Sequence, residues 1–270
     1  MDYLELKIDV TSEEQRDILL CRLLGEGFES FVEAEKVLLA YIPAYLFIKE
    51  KVEPILDSFH VAFKFSFVPQ QNWNEEWEKH YDPVLIKDQC YIRAPFHDPL
   101  PGIPYEIIIE PKMSFGTAHH ETTSMMIELM LETEFAGMNV LDMGCGTGIL
   151  AILAGKLGAG NVVAVDNDQW CYENALENIR KNNAGKIRVV LGDVKTIDDQ
   201  GFDMIMANIN RNVLMEQMAD YSGMMVKGDL LLSGFYEEDI PLIRDIAGQN
   251  GFRFVTFTTR NRWAAVKFNK

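Results

Sequence analysis

Apolar residues in the first 68 positions follow short, regular patterns. Four segments alternate apolar and polar side chains, which is typical of strands that bury one face. Two segments between them favour helices. The resulting order, βαββαβ, predicts a ferredoxin-like α+β domain over residues 1–68. The predicted strands are 3–10, 28–33, 37–42 and 61–68.

Terminal signals set the limits of the two helices in this domain. Residues 11–14 have the T-x-x-E pattern of a capping box, and the first helix is expected to stop at Gly25 or Gly27. Pro43 suits the first turn of the second helix, which is predicted to run to about Phe59. The apolar side predicted for the first helix consists of Ile18, Leu19, Leu23 and Leu24.

From Val140 onward, apolar strand-like runs alternate with helical segments. This alternation is typical of an α/β fold, in which helices cover both faces of a parallel sheet. Upstream, 91–95 and 105–109 favour strands and 125–131 favours a helix. The tail favours two strands with no helix between them, at 252–258 and 263–268. In the alternating part, the predicted strands are 140–144, 161–166, 187–192, 202–209 and 228–235, and the predicted helices are 148–158, 168–182, 212–225 and 237–250.

Between these two parts, the run Pro-Gln-Gln at 69–71 breaks the pattern. Trp73 and Trp77 follow four positions apart and would share one helical face. We interpret 69–82 as a helical connector whose tryptophans pack against the second domain, because aromatic residues of this kind usually anchor a segment. The second domain is then predicted over 83–270.

A glycine-rich turn follows the strand that ends at Asp142. Gly144, Gly146 and Gly148 stand at alternate positions, and an apolar helical segment follows at 149–157. Strand, turn and helix in this order are typical of a nucleotide-type site at the carboxyl edge of a parallel sheet. Glycine lets the backbone approach a ligand closely. The spacing G-x-G-x-G differs from the pyrophosphate fingerprint G-x-G-x-x-G, and no Lys-Ser/Thr pair follows, so a nucleoside without phosphates is favoured.

The next strand ends in Asp166, an acidic side chain suited to the hydroxyl groups of a ribose. The other interpretation of Asp166 is an N-cap for the following helix, and the two roles are compatible. A nicotinamide-dependent dehydrogenase is disfavoured by the glycine spacing.

Composition points to a globular protein of 270 residues, 48% of them hydrophobic. No apolar run reaches the ~18 residues of a membrane span, and the N-terminus lacks the basic and apolar regions of a signal peptide. The four cysteines are scattered without a C-x-x-C pair, which favours reduced thiols over disulfides or a zinc site. A cytoplasmic location is therefore expected.

The formal net charge is −16. A nucleic-acid-binding protein usually carries a basic surface, so direct binding of nucleic acid is not expected. An acidic surface attracts basic proteins instead. The alternative is that the charge serves only solubility.

Two groups of residues resemble a known family. The run DMGCGTG at 142–148 and the acid Asp166 look like the first two motifs of class I S-adenosylmethionine-dependent methyltransferases. With FGTAHHETT at 115–123 and Ala-Asn-Ile at 207–209, the chain resembles the PrmA family over nearly its whole length. That family methylates the eleventh protein of the large ribosomal subunit. The resemblance implies S-adenosylmethionine as cofactor and a basic ribosomal protein as partner.

The resemblance also implies site residues. Gly144, Gly146 and Asp166 would form the cofactor site together with four other residues. Three of those have a plainer interpretation: helix capping for the threonine, a turn for the aspartate and a strand-end turn for the asparagine. Asn208 would in addition be the residue at the methyl-transfer site. The remaining implied cofactor residues are Phe115, Thr123, Asp193 and Asn208.

The chain departs from family patterns at three places. Residues 208–211 read Asn-Ile-Asn-Arg where methyltransferases of adenine or glutamine often have N-P-P-Y/F, which argues against those targets. Pro-Lys-Met stands at 111–113 where Asp-Pro-Gly is more usual. Ala118 replaces a glycine and would stiffen a loop expected to close over the cofactor.

His119 and His120 fit no metal or carboxylate pattern and are interpreted as structural.

Methyl transfer from a sulfonium is a direct displacement that requires a neutral amine if the acceptor is nitrogen. A lysine amine has a pKa of about 10.4 in water, so its removal from water would favour the reactive form. The sequence thus favours a methyltransferase of amino groups, on lysines or the N-terminus, in a ribosomal protein. The alternatives are a methyltransferase of another protein or small amine, and a non-catalytic cofactor-binding module that assists ribosome assembly.

Overall fold

The structure is a computed structural model that describes residues 3–34, 36–68, 81–112, 114–198 and 200–270. The chain divides into two compact units, one that ends at Tyr81 and one that begins at Asp82. The predicted connector, with Trp73 and Trp77, lies outside the described residues except for its last two positions, and Met113 also lies outside them.

The N-terminal unit is a four-stranded antiparallel sheet with two helices, in the predicted order βαββαβ. The strands stand in the order β2-β3-β1-β4, so that the first strand is central. Both helices contribute to one core with the sheet, through Leu19 and Leu23 of α1 and Val52 and Leu56 of α2. The elements are β1 Tyr3–Asp9, α1 Glu13–Gly25, β2 Ser30–Ala34, β3 Val37–Pro43, α2 Lys49–Ser58 and β4 Phe63–Val68.

Helix α1 ends at Gly25 as predicted, but its N-terminus and its buried face differ from the prediction. Ser12, not Thr11, caps the helix by accepting a hydrogen bond from Gln15 N at 3.1 Å. The Gln15 side chain accepts from Thr11 N at 2.8 Å, one residue before the cap, so the predicted T-x-x-E capping box is not formed. Ile18 and Leu24 are exposed, because only the narrow stripe through Leu19 and Leu23 faces the core.

The predicted start of α2 at Pro43 is also wrong. Pro43 is the last residue of β3, where it pairs with Tyr3 of β1. A turn follows, and the helix begins only at Lys49. Proline suits a strand end as well as a first helical turn, and the pairing with β1 decides between them.

The C-terminal unit contains the remaining ten strands and five helices of the described chain. Most boundaries agree with the prediction within three residues. The helix expected at 125–131 begins four residues earlier, and one short strand, β5, was not predicted. The elements are β5 Val84–Ile86, β6 Cys90–Arg93, β7 Tyr105–Ile108, α3 Glu121–Leu131, β8 Asn139–Met143, α4 Ile149–Lys156, β9 Asn161–Asp166, α5 Gln169–Lys181, β10 Ile187–Leu191, β11 Met204–Asn208, α6 Arg211–Met224, β12 Asp229–Tyr236, α7 Ile240–Gln249, β13 Arg253–Arg260 and β14 Trp263–Asn269.

Seven of these strands form one sheet in the order β10-β9-β8-β11-β12-β14-β13. Neighbours from β10 to β12 are parallel, and β14 is antiparallel to both β12 and β13. The predicted parallel α/β sheet with a terminal hairpin is confirmed. The carboxyl ends of β8, β9, β10 and β11 therefore meet at one edge, which is where open α/β sheets bind ligands.

Alternate residues of the central strands enter two different cores. Val140 of β8 packs with residues of α3, α4 and α5, whereas the next residue, Leu141, packs with residues of α6 and α7. Because successive strand side chains point to opposite faces, this partition places helices on both faces of the sheet. The small sheet β5-β6-β7 joins the first of these cores through Cys90, Ile92 and Ile107.

Within the described residues, no helix combines the length and apolar character of a membrane span.

Candidate active site at the carboxyl edge of the sheet

The glycine turn runs from the end of β8 to the start of α4. Two successive amides of the turn, from Gly144 and Cys145, donate to the carbonyl of Val165 in β9 at 2.8 and 2.9 Å. Gly148 has a left-handed backbone, with φ of +78°, and precedes the first residue of α4. The turn is thus fixed to the neighbouring strand on one side and to a helix on the other.

Two of the glycines are required by close packing. An ideal Cβ on Gly144 would lie 2.2 Å from Cγ2 of Ile209, and one on Gly146 would lie 2.3 Å from the carbonyl oxygen of Phe115. Both residues also have positive φ, at +71° and +54°. A side chain at either position would therefore be strained by its backbone and would displace a neighbour.

Asp166 ends β9 beside this turn with 9% of its surface exposed. Its Oδ2 accepts from Gly146 N at 2.8 Å, and its Oδ1 accepts from Asp168 N at 3.0 Å. The interpretation of Asp166 as a helix cap is wrong, because Asp168 caps α5 by accepting from Trp170 N at 2.7 Å and Cys171 N at 3.1 Å. A carboxylate has lone pairs for further donors, so Asp166 can still accept from a ligand.

A cavity of about 180 Å³ opens at the ends of β8, β9, β10 and β11. Three of the predicted residues, Gly144, Asp166 and Asp193, line it together. Asp193 also accepts from Lys195 N at 2.9 Å, so it has the turn role as well. The other lining residues are Met143, Val165, Asn167, Gly192, Ile209, Asn210, Val213 and Gln217.

Asn208 is the last residue of β11 and contacts α3. Its Nδ2 donates to Thr123 Oγ1 at 3.2 Å, across 85 positions of sequence. Its Oδ1 is buried and receives no hydrogen bond from the part of the chain that the structure describes. A buried carbonyl without a donor is costly, which makes this oxygen a candidate acceptor for an N–H group, although Asn208 itself does not line the cavity.

The start of α3 corrects the interpretation of its threonines as caps. His120 is the N-cap, and its Nδ1 accepts from Thr122 N at 3.3 Å. Thr122 and Thr123 are both 1% exposed in the first turn. The ring of His120 lies between those of Phe115 and Trp263, with centroids 5.3 and 4.8 Å away. The structural role predicted for this histidine agrees with these contacts.

Phe115 reaches the turn through its backbone. Its carbonyl accepts from Thr147 N at 2.9 Å, while its side chain is 50% exposed and does not line the cavity. Three residues later, Ala118 is 1% exposed and has φ of +67°. The segment thus keeps a glycine-type backbone although alanine occupies the position.

Asp142 lies behind the turn, 1% exposed. Its Oδ2 accepts from Ala151 N in α4 at 3.0 Å, and its Oδ1 has no donor among the described residues. The pKa of Asp142 is raised from 3.8 to about 7, mainly by burial and in smaller part by the charge of Asp166, against the opposing effect of the hydrogen bond from Ala151. Close to neutral pH, this carboxyl is therefore partly protonated.

Comparison with known proteins identifies the family. A family model described as ribosomal protein L11 methyltransferase (PrmA) matches residues 5–270. The ribosomal protein L11 methyltransferase of Porphyromonas gingivalis is 46% identical over 268 residues, which cover 96% of this chain and 92% of that protein. The one from Bacteroides fragilis is 44% identical and covers 99% of both chains. The chain belongs to the PrmA family.

A solved structure supports the assignment of the fold to this family. The crystal structure of ribosomal protein L11 methylase from Lactobacillus delbrueckii subsp. bulgaricus is 26% identical to this chain with a TM-score of 0.65, and it covers 70% of this chain and 98% of that one. As a PrmA protein, the chain is a methyltransferase that uses S-adenosylmethionine. The recognition of the family from its motifs is confirmed.

The residues present fit this cofactor. The cavity combines a carboxylate suited to ribose hydroxyls, Asp166, with the backbone of Gly144 at the end of β8. Asn208 adds a buried carbonyl without a donor at the end of the next strand. The strand-end acid can accept hydrogen bonds from ribose hydroxyls, and an adenosyl amino acid carries such a ribose.

Several cavity residues were absent from the sequence prediction. Gly192 could have been noted because it precedes Asp193 directly after a strand. Val213 and Gln217 lie four positions apart on α6, so the sequence predicts that they share one helical face. It does not predict that this face lines the cavity. Asn210 caps α6, accepting from Val213 N at 3.2 Å, and carries no separate signal of a ligand role.

Proposed function

We propose that this protein transfers methyl groups from S-adenosylmethionine to amino groups of ribosomal protein L11. The substrate follows the name of the close relatives. The observation that supports an amine acceptor is the buried, unpartnered Oδ1 of Asn208 at the end of β11. A carbonyl oxygen at that point can accept a hydrogen bond from an amine N–H and direct the nitrogen lone pair away from itself.

When bound, S-adenosylmethionine supplies an electrophilic methyl group on a sulfonium. Asn208 orients the acceptor amine, and Thr123 fixes the orientation of the Asn208 amide through the bond to its Nδ2. The amine must be neutral to react, and the low exposure of Thr123 and of the Asn208 carbonyl favours its uncharged form. Orientation of this kind can supply a large part of the acceleration.

Six residues are proposed to hold the cofactor beside Asn208. Asp166 would accept from the ribose hydroxyls, and Asp193, which also lines the cavity, would contact the adenine. The remaining contacts are proposed for backbone and loop groups near the methionine moiety: Gly144, Gly146, Phe115 and Thr123. Support comes from the shared edge of the sheet and the hydrogen bonds that join these residues.

We further propose residues 1–68 as the domain that recognises the protein substrate. They carry 13 acidic and 7 basic side chains. An acidic domain attracts a basic ribosomal protein. A tether to the catalytic domain would also raise the concentration of substrate amines at the site.

Asn208→Ala tests the function. At saturating cofactor, we expect transfer of labelled methyl groups to purified L11 to fall on the order of 100-fold, because the amine loses its orienting acceptor. Asn250→Ala is the matched control, since that asparagine donates to Ile246 O at the end of α7, does not line the cavity and should cost only about 1 kcal/mol of stability. Asn208→Ala with unchanged turnover would return Asn208 to the role of a strand-end turn residue.

The same assay distinguishes the alternatives. Methylation of a small amine or of another protein in preference to L11 would replace the proposed substrate. Cofactor binding without any transfer to ribosomal proteins would favour the assembly module.

A further inference from the structure

Three asparagines stand four positions apart along helix α5 and share one face: Asn174 and Asn178 lie within the helix, and Asn182 is its C-cap. Asn174 is 1% exposed and Asn178 is fully buried. A buried amide is costly unless its oxygen and nitrogen both find partners. The hydrogen-bond partners of these amides include backbone groups of other segments of the C-terminal unit.

All three asparagines contact the chain at the end of strand β7, and Asn174 makes the longest bond, from its Nδ2 to Glu110 O at 3.5 Å. Asn182 accepts from Ile108 N at 2.9 Å and donates to Ile108 O at 2.6 Å. Asn178 accepts from Glu110 N at 2.8 Å. Their side chains thus take the place of a neighbouring strand along this edge of the small sheet.

Asn178 differs from Asn182 in a second contact. Its Nδ2 donates to Thr147 O at 2.9 Å. Thr147 is fully buried in the glycine turn, immediately before Gly148. The first hydrogen bond within α4 runs from Ile152 N to Gly148 O, so the carbonyl of Thr147 lies outside the helix and is satisfied by Asn178.

Thr147 in turn holds the segment that precedes α3. Its amide donates to Phe115 O at 2.9 Å, and its hydroxyl donates to Gly116 O. One side-chain amide therefore joins three pieces of backbone: the chain after β7 at Glu110, the glycine turn at Thr147, and, through Thr147, residues 115–116. Glu110 is 68 positions and Thr147 is 31 positions away from Asn178 in the sequence.

We propose that Asn178 is a positioning residue of the cofactor site: it sets the place of Thr147, and through Thr147 it sets the glycine turn and the Phe115–Gly116 segment. Asn178 does not line the cavity, so it acts on the ligand only through this turn. The proposal rests on the cofactor site and is independent of the identity of the protein substrate.

The test compares Asn178→Ala with Asn182→Ala in the full-length protein. Both variants lose an amide that holds the β7 edge, but only the first loses the donor to Thr147 O. The ion pairs of Lys181 with Glu110 and of Lys112 with Glu177 keep that edge attached to α5 in both. Calorimetry of S-adenosylmethionine binding should show about fivefold weaker affinity for Asn178→Ala and less than about twofold change for Asn182→Ala, given the usual net worth of one hydrogen bond.

Hydrogen exchange gives a second readout that requires no ligand. The amide of Thr147, which donates to Phe115 O, should exchange faster in Asn178→Ala and at the wild-type rate in Asn182→Ala. If Asn178→Ala does not fold, Asn178→Asp at pH 8 replaces it, since the carboxylate still accepts from Glu110 N but cannot donate to Thr147 O. Equal cofactor affinities for the Asn178 variant and Asn182→Ala would overturn the proposal. Wild-type protein that binds the cofactor but does not methylate L11 would count against the proposed function and leave this proposal standing.

Discussion

Asp142 combines complete burial with only one of its oxygens hydrogen-bonded within the described chain. Desolvation disfavours the charged form, which explains the rise of its pKa to about 7. Between about pH 4 and pH 7, the folded protein keeps a proton on this carboxyl that the unfolded chain has released. Asp142 therefore makes the folded state less stable as pH rises through that window, with no further change above it.

Asp142→Asn should remove this dependence. The amide keeps an acceptor for Ala151 N, and it does not titrate. The free energy of urea unfolding of the variant minus that of the wild type should rise by about 1.4 kcal/mol per pH unit towards neutral pH. A difference that stays constant from pH 5 to pH 8 would show that the carboxyl does not titrate in this range.

At the scale of elements, the strand β9 and the helix α5 are joined by two aspartates with different roles. Asp166 lines the cavity, whereas Asp168 accepts from the first amides of α5. Asp166→Ala should weaken S-adenosylmethionine binding at least tenfold in a folded protein, since hydrogen bonds to a charged acceptor contribute roughly 1.5–3 kcal/mol each. Asp168→Ala should lower the free energy of unfolding by about 1 kcal/mol and leave the affinity nearly unchanged. Calorimetry and denaturant unfolding of both variants check this, and equal affinities for the two would refute the assignment of Asp166.

At the scale of the whole molecule, the two units are expected to divide recognition and chemistry. A protein that starts at Pro83 contains the complete seven-stranded sheet and the cavity. We expect it to bind S-adenosylmethionine with unchanged affinity and to lose methylation of L11. Added salt should weaken the binding of L11 to the full-length protein, because contacts between opposite charges are screened. Normal methylation of L11 by the shortened protein would remove the substrate role proposed for residues 1–68.

The sequence by itself determined the sheet and the order of its chemical groups. The apolar runs before Gly144, Asp166, Asp193 and Asn208 marked four strand ends. Parallel strands bring their carboxyl ends to one edge, so Gly144 and Asp166 could be assigned to a common site without coordinates, and the family resemblance added Asp193 and Asn208. Strands and helices can be predicted from local patterns because their side chains face one side of the element at fixed spacings of two or of three to four residues.

Only the tertiary structure decided which polar groups bond to one another. Ser12 rather than Thr11 caps α1, and Asp168 rather than Asp166 caps α5, because each cap depends on where the helix is placed by its packing. The bonds from Asn208 to Thr123 and from Asn178 to Thr147 span 85 and 31 positions. No local periodicity specifies such pairs, since a hydrogen bond requires two groups within about 3 Å, and that distance is set only when the helices and strands pack together.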